Sequence, residues 1–175
     1  NRIEASFLAI EDKRFYQHSG VDWRAVLRAL WNNVTNKRRQ GASTIAMQVA
    51  RMQQDMPLSV LKGKRTYWNK FCESITALVL IRKYGHQAVL KHYLELVPQG
   101  NRIHGVAYAA RRYFRKPLQD LSWAESAVLA ALPKAPGSMN LFHENGREKA
   151  FARAELILKQ LHKNGTLDDE SFLAA

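Results

Sequence analysis

Apolar side chains recur in this chain at the three- and four-residue spacing of α-helices, and this periodicity restricts its fold more than any other feature. Ile3, Phe7, Leu8 and Ile10 form one helical face, and the segment Trp23–Val34 repeats the pattern. No long stretch alternates apolar and polar residues as a half-buried strand does. The sequence therefore predicts an all-α domain with functional loops.

Glycines, prolines and capping residues predict where the helices begin and end. One helix ends near residue 11, and others span 23–34, 43–52, 65–84, 88–96, 103–114, 122–132 and 147–163. Ser122 and Glu125 have the spacing of a capping box, and Gly85 interrupts the longest helical pattern. Asn164 and Gly165 are typical of a helix C-terminus.

Length and composition limit the kind of protein and its partners. The 175 residues suit one domain, 1–175, and a hydrophobic fraction of 46% excludes a disordered chain. The net charge of +12 predicts an anionic partner, which is a nucleic acid, a phospholipid surface or a phosphorylated substrate. Cys72 is the only cysteine, so no disulfide forms within the chain. A start at Asn1 rather than Met predicts a piece of a longer protein.

Two short runs of sequence carry groups suited to chemistry. The first extends from Glu11 to Gly20 and places a carboxylate beside an aromatic-rich turn. A carboxylate shielded from water there suits general base catalysis, whereas a solvated Glu11 at a helix end is the alternative. His18 is either a catalytic partner or a histidine that hydrogen-bonds the turn.

The second run extends from Gly41 to Gln48 and opens a predicted helix. Ser43 and Thr44 offer hydroxyl groups and backbone amides that favour an anion, and Arg51 shares a helical face with Gln48. An ordinary capped helix is the alternative.

A third group lies on the longest helical pattern. Lys70 and Glu73 are three residues apart, with Arg65 upstream. They form either a phosphate-binding site with an essential carboxylate or a common ion pair on a helix surface.

In these residues and in two later segments the chain resembles the glycosyltransferase domain of class A penicillin-binding proteins and of monofunctional peptidoglycan glycosyltransferases, glycosyltransferase family 51. Five motifs occur in the family order over nearly the whole chain. The first contains Glu11, Asp12, Phe15, His18 and Gly20; the second contains Gly41, Ser43, Thr44, Ile45, Gln48 and Arg51; the third contains Arg65, Thr66, Lys70 and Glu73. The fourth extends from Val89 to Phe114, and the fifth from Leu121 to Pro136.

The resemblance implies a lysozyme-like α-helical fold with a large helical lobe and a smaller membrane-facing lobe. It implies polymerisation of lipid II into glycan strands, with inversion and release of undecaprenyl pyrophosphate. By position, Glu11 is the general base, Glu73 the second essential carboxylate, and Arg51, Arg65 and Lys70 neutralise the pyrophosphate. The remaining site residues that the resemblance implies are Asp12, Phe15, His18, Gly41, Ser43, Thr44 and Gln48. It implies no resident metal, although a divalent Mg or Mn ion is compatible with pyrophosphate departure.

The same resemblance implies a location and partners. The domain is expected on the outer, periplasmic face of the bacterial inner membrane, excised from a membrane-anchored chain that carries a transpeptidase domain. Its partners are lipid II, the growing glycan strand and cell-wall synthesis proteins, and not nucleic acid. The segment Trp23–Trp31, with Arg24 and Arg28, suits a membrane surface, and an ordinary core helix is the alternative.

Two departures from the family pattern support a competing hypothesis. Asn69 stands where the family has Arg, and Glu95 stands where it has Asn, so the pocket loses positive charge. The alternative is a catalytically impaired domain that binds lipid II or a cell-wall partner without polymerising it. A basic nucleic-acid-binding domain and a glycan-cleaving lysozyme-like enzyme rank below both, because no recognition motif supports the first and a neutral glycan does not need the cationic third motif.

Overall fold

The computed structural model describes residues 1–34, 42–54 and 67–175, and every regular element in them is helical. Extended backbone pairs in these residues only at an isolated antiparallel bridge between Pro98 and His104. The prediction of an all-α fold is therefore confirmed for the described residues. None of their helices is long and apolar enough to cross a membrane.

Eight α-helices occur in the described residues. They are α1 Arg2–Glu11, α2 Trp23–Val34, α3 Ile45–Gln54, α4 Tyr67–Leu96, α5 Val106–Phe114, α6 Trp123–Ala131, α7 Glu144–Lys163 and α8 Asp169–Leu173. Single 3-10 turns lie at Phe15–Gln17, Leu118–Asp120 and Leu132–Lys134. The predicted bounds of α2 are confirmed. Helix α8 was missed because five residues are too few to show a period.

The contacts divide the chain into two compact units, and the sequence did not predict the boundaries between them. Unit 1 comprises residues 1–13 and 94–175, and unit 2 comprises residues 14–93. The two points of division carry no glycine- or proline-rich linker, and one of them falls inside α4. The composition of these two segments therefore did not indicate where the units divide. The assignment of 1–175 to one glycosyltransferase domain stays a prediction.

Unit 1 is built around α6, which is buried along most of its length. Its small and branched residues from 126 to 131 are all buried, and the helix contacts both α1 and α7. Ser122 and Glu125 form the predicted capping box, with the Ser122 hydroxyl accepting from the Glu125 amide and the Glu125 carboxylate accepting from the Ser122 amide. At the end of α7, Gly165 has a φ of +69°, as the predicted C-cap requires.

Unit 2 contains α2, α3 and most of α4. Helix α3 is buried on nearly all sides, as shown by Ile45, Ala46, Met47, Val49 and Ala50. The sequence predicted two separate helices on either side of residue 85. The structure has helix on both sides of Gly85, whose φ of 77° and ψ of 165° are not helical, so α4 consists of two helical segments as predicted. The break at Gly85 is therefore confirmed, and the second segment begins directly after it rather than at residue 88.

Candidate active site

Glu11 and Asp12 lie at the C-terminal end of α1, in unit 1. Glu11 is the last residue of the helix and is half-buried. Asp12 is its C-cap; its side chain is buried, and its amide donates to the carbonyl oxygen of Leu8 at 3.2 Å. Carboxylates at this end oppose the helix dipole, so two in succession do not favour helix stability. A local arrangement that costs stability is typical of functional sites.

The first motif continues in unit 2 as a turn around a buried ring. Phe15 is buried, and its ring lies edge-on to that of His18 at 6.2 Å between centroids. His18 Nδ1 accepts from the amide of Gly20 at 3.1 Å. The structure therefore confirms the alternative that His18 hydrogen-bonds the turn, and a contact between His18 and substrate stays a prediction.

Gly20 ties the first motif to α4. Its φ is +113°, and a Cβ atom there would lie 2.5 Å from the carbonyl oxygen of Ala77. Only glycine fits this combination of backbone conformation and close approach. The turn that follows Glu11 is therefore packed directly against the helix that carries Glu73.

The second motif begins α3, and Thr44 is its capping residue. The Thr44 hydroxyl accepts from the amide of Met47 at 3.2 Å and donates to the carbonyl oxygen of Gly20 at 2.5 Å. The capping alternative is confirmed for Thr44, which is buried. Ser43 and Arg51, by contrast, are half-buried.

Gln48 connects the second motif to the fourth. Its Oε1 accepts from the hydroxyl of Tyr93 at 3.5 Å, and Tyr93 is fully buried. Residues of the first, second and fourth motifs are thus linked inside unit 2, and Gly20 of the first motif packs against Ala77 on the helix that carries the third motif.

Glu73 is buried in α4, with 4% of its surface exposed. It shares a helical face with Ala77 and Ile81, which are also buried, whereas Lys70 is exposed. A buried glutamate is rare in proteins unless it has a partner or a function. The essential carboxylate and the ion pair with Lys70 both stay predictions for Glu73.

Two predicted site residues, Gly41 and Arg65, lie outside the described residues. Glu11 and Asp12 belong to unit 1, and the other described candidates belong to unit 2. A cleft shared by Glu11 and Glu73 stays a prediction. Among the described residues, no group of three His, Cys, Asp or Glu side chains could hold a metal ion.

His86 is a contact of the first motif that sequence reasoning missed. Its Nε2 lies 2.9 Å from the carbonyl oxygen of His18, and its ring meets that of Phe15 edge-on at 5.2 Å. His86 follows the kink at Gly85. Because 68 residues separate His18 from His86, no local pattern could have revealed the contact.

A second missed feature is the pair formed by Arg14 and Asp22. Two nitrogens of Arg14 contact the carboxylate at 2.7 to 3.1 Å, and the carboxylate also accepts from the amide of Ala25 at 3.0 Å. Burial alone would raise the pKa of Asp22, but these hydrogen bonds and the Arg14 charge outweigh it and hold the pKa below its ordinary value. The pair fixes the turn between the first motif and α2.

Comparisons with known proteins identify the family. The transglycosylase family model matches residues 1–162. Penicillin-binding protein 1A of Rickettsia bellii (strain RML369-C) is 34% identical over 97% of this chain and 21% of its own length. Penicillin-binding protein 1A of Haemophilus influenzae (strain ATCC 51907 / DSM 11121 / KW20 / Rd) is 36% identical over 99% of this chain and 20% of its own length. The crystal structure of penicillin-binding protein 1A from Haemophilus influenzae is 33% identical, with a TM-score of 0.49 over 53% of this chain and 14% of that one.

The chain therefore belongs to the transglycosylase family. It is an enzyme domain of the peptidoglycan glycosyltransferase class, as the five motifs predicted. It spans about a fifth of the length of the relatives that it matches.

Proposed function

We propose that this chain polymerises lipid II into glycan strands, with Glu11 as the general base. The 4-hydroxyl oxygen of the acceptor sugar attacks the anomeric carbon at the lipid-linked end of the growing chain. The bond from that carbon to the phosphate oxygen breaks, and undecaprenyl pyrophosphate leaves with the electron pair. The hydroxyl proton passes to the Glu11 carboxylate, and the anomeric centre is inverted.

The observation that carries this proposal is the burial of Glu73 in the helix that packs against the turn of the first motif. Burying a carboxylate costs free energy. Glu73 occupies the position of the family's second essential carboxylate, and its burial there supports a catalytic role. Arg51, Arg65 and Lys70 are the cations proposed to neutralise the charge that develops on the leaving pyrophosphate.

Helix positions support separate roles for the polar residues of the second motif. Thr44 is a positioning residue, because its hydroxyl is used by α3 and by Gly20. Ser43 and Gln48 are proposed to line the substrate site, together with Asp12 and Phe15. Pyrophosphate departure is assigned to the chain's own cations, and no step requires a metal ion.

We further propose that the chain is part of a membrane-anchored protein with a transpeptidase domain, acting on the outer face of the inner membrane. The relatives support this because they are about five times as long as the chain and are named as penicillin-binding proteins. Nothing in the comparisons favours the impaired-domain alternative. Asn69 and Glu95, which motivated it, are both exposed.

The test is conversion of labelled lipid II to polymer by the chain in detergent. Glu11→Gln keeps the size of the side chain but cannot accept the proton, so we expect turnover to fall by about a hundredfold or more. Glu4→Gln, a half-buried glutamate on the same helix, is the matched control and should retain turnover. Equal turnover by Glu11→Gln would eliminate Glu11 as the base. Lipid II binding without polymer by the unaltered chain would favour the impaired-domain alternative.

A further inference from the structure

Exposed arginines are concentrated along α5 in unit 1. Four of them lie on this helix or next to it, namely Arg102, Arg111, Arg112 and Arg115. Residues 96–119 contain five Lys and Arg residues and no Asp or Glu. None of the four arginines forms an ion pair with a residue that the structure describes. We call these four residues the arginine cluster.

Side-chain contacts hold the cluster together as one surface. The amide of the Asn101 side chain donates to the hydroxyl oxygen of Tyr113 at 3.1 Å, so the loop before α5 folds back to the last turn of this helix. Asn101 and Asn140 also exchange two hydrogen bonds between their side chains, both at 2.9 Å. Phe142 follows two residues later, and the guanidinium of Arg112 lies 5.1 Å from the centre of its ring. The loop, the end of α5 and the half-exposed ring of Phe142 therefore form a continuous surface.

Two arginines of the cluster stand where the backbone favours glycine. Arg102 has a φ of +61° and Arg115 a φ of +57°. Among the described residues, Asn101 is the one other non-glycine residue with a positive φ. Arg115 is also the C-cap of α5, a position that glycine most often takes. Arginine is locally unfavourable at both positions, which indicates that these charges serve a purpose other than folding.

The chemistry of the cluster suits a peptide that carries carboxylates. A guanidinium group binds a carboxylate through two parallel hydrogen bonds, and four such groups without ion pairs are available. Tyr108 lies one helical turn before Arg111 and Arg112 and is 59% exposed. Its ring and that of Phe142 add apolar surface beside the charges. Exposed arginines and aromatic rings together are typical of surfaces that recognise a partner.

The proposed reaction itself makes a ligand of this kind. Lipid II carries a peptide on its disaccharide, so every repeat of the polymer presents a peptide carboxylate. The strand is bound at Glu11, which belongs to the same unit as the cluster. A unit of about 95 residues has a radius of gyration of about 12 Å, so a strand of several repeats can reach from Glu11 to the cluster. Because the strand is already bound, weak binding of each peptide is sufficient.

We propose that the arginine cluster binds the peptide carboxylates of the growing glycan strand outside the catalytic site, and so retains the strand between additions. This rests on the proposed function and adds a binding site for its product. An acidic segment of another protein is a poorer occupant. Unit 2 has a net charge of +11 and unit 1 of +1, so an acidic protein arriving from solution would be attracted to unit 2.

The first test measures binding of a labelled, soluble glycan oligomer that bears its peptides, by fluorescence anisotropy. We expect the same oligomer with its carboxylates converted to carboxamides to bind about tenfold more weakly. Arg111→Gln and Arg115→Gln should each weaken binding of the unmodified oligomer about fivefold. Lys163→Gln removes an exposed charge at the far end of α7 from Phe142 and is the matched control.

Three results of this binding test would overturn the proposal. The first is equal binding of the two oligomers, and the second is a loss with Lys163→Gln that equals the loss with Arg111→Gln. The third is tighter binding of poly-L-glutamate than of the oligomer, with the same dependence on Arg111, because the surface would then belong to an acidic protein partner.

Arg115→Gly separates binding from folding. Glycine adopts a φ of +57° without strain, so this variant should keep or raise the midpoint of thermal unfolding. It should nevertheless weaken binding of the oligomer as much as Arg115→Gln does. A lower midpoint together with weaker binding would make Arg115 a structural residue and contradict its role as a ligand of the strand.

The second test measures the length of the polymer that the chain makes from lipid II in detergent. Combining Arg111→Gln with Arg115→Gln should shorten the strands about twofold or more, because strands leave earlier, while the initial rate of lipid II consumption stays unchanged. Strands of unchanged length, or a rate that falls as much as the length, would overturn the proposal. Absence of polymer from the unaltered chain would contradict the proposed catalytic function, and binding of the oligomer would then decide the role of the cluster separately.

Discussion

At the scale of single residues, Thr44 shows how one side chain joins two motifs. Its hydroxyl caps α3 and donates to the carbonyl oxygen of Gly20, which belongs to the first motif. The sequence predicted the capping role because Thr commonly precedes a helix. The hydrogen bond to Gly20 joins residues 24 positions apart, so no local sequence pattern could have predicted it.

Thr44→Val is expected to destabilise the chain by about 2 kcal/mol, because it removes the cap and leaves the buried Gly20 carbonyl without this donor. Urea denaturation followed by circular dichroism measures the change. Thr44→Ser keeps the hydroxyl and should recover most of the loss. Equal destabilisation by both variants would mean that the methyl group, rather than the hydroxyl, matters.

The charge of Glu125 is a residue-scale feature with a pH dependence. Burial raises its pKa, but hydrogen bonds from Lys116 and Ser122 and the Lys116 charge outweigh burial, so its pKa lies below the ordinary value of 4.5. A lowered pKa stabilises the fold above pH 4.5, and this contribution is lost as the pH falls through the lower folded-state value.

Glu125→Gln should therefore cost about 1 kcal/mol of unfolding free energy at neutral pH, and less as the solution is acidified below pH 4.5. Urea denaturation at a series of pH values gives the difference between the variant and the unaltered chain. Glu155→Gln, an exposed glutamate on α7, is the control and should show little difference at any pH. A constant difference for Glu125→Gln would contradict the role of its ionised form.

At the scale of elements, two glycines set the path of the chain around α4. Gly85 has a φ of +77° but nothing near its Cβ position, whereas Gly20 has a φ of +113° and the Ala77 carbonyl oxygen in the way. The sequence predicted a break at Gly85 because glycine interrupts helices. The sequence did not predict the need for glycine at position 20, because the contacting residue, Ala77, is 57 positions away in the chain.

Gly85→Ala should cost about 1 to 3 kcal/mol from backbone conformation alone, because a φ of 77° with a ψ of 165° is a conformation that glycine alone readily adopts. Gly20→Ala should cost more, because the helix must also move away. Gly137→Ala is the control, since its φ is ordinary and nothing lies near its Cβ position. Thermal unfolding of the three variants gives the order, and an equal effect at positions 20 and 85 would contradict the close approach.

At the scale of the whole molecule, the start of the chain completes a unit made mostly from its end. Helix α1 contacts α6 and α7 in unit 1, and Phe7 is fully buried there. Hydrophobic periodicity predicted the buried face of α1. It did not predict the partners, because periodicity identifies a face and carries no information about what that face meets.

Phe7→Ala should destabilise unit 1 by about 3 to 5 kcal/mol through the lost burial and the cavity. Hydrogen exchange should then quicken in α6 and α7 more than in α3, which belongs to unit 2. Phe151→Ala removes an exposed ring of α7 and is the control. Uniform acceleration throughout the described helices would show that the two units open together.

The sequence by itself determined the helical class, the order of the five motifs, the capping box at Ser122 and the positions of Glu11 and Glu73 on their helices. These depend on local propensity, spacing and residue identity, which a linear sequence contains. Tertiary structure alone decided that Glu73 is buried, that Thr44 and Gly20 are bonded, that His86 holds the first motif, and that α4 exposes apolar side chains. The physical reason is that each of these depends on which surface a helix buries against residues far away in the chain, and periodicity does not distinguish a stripe that is buried from one that is exposed.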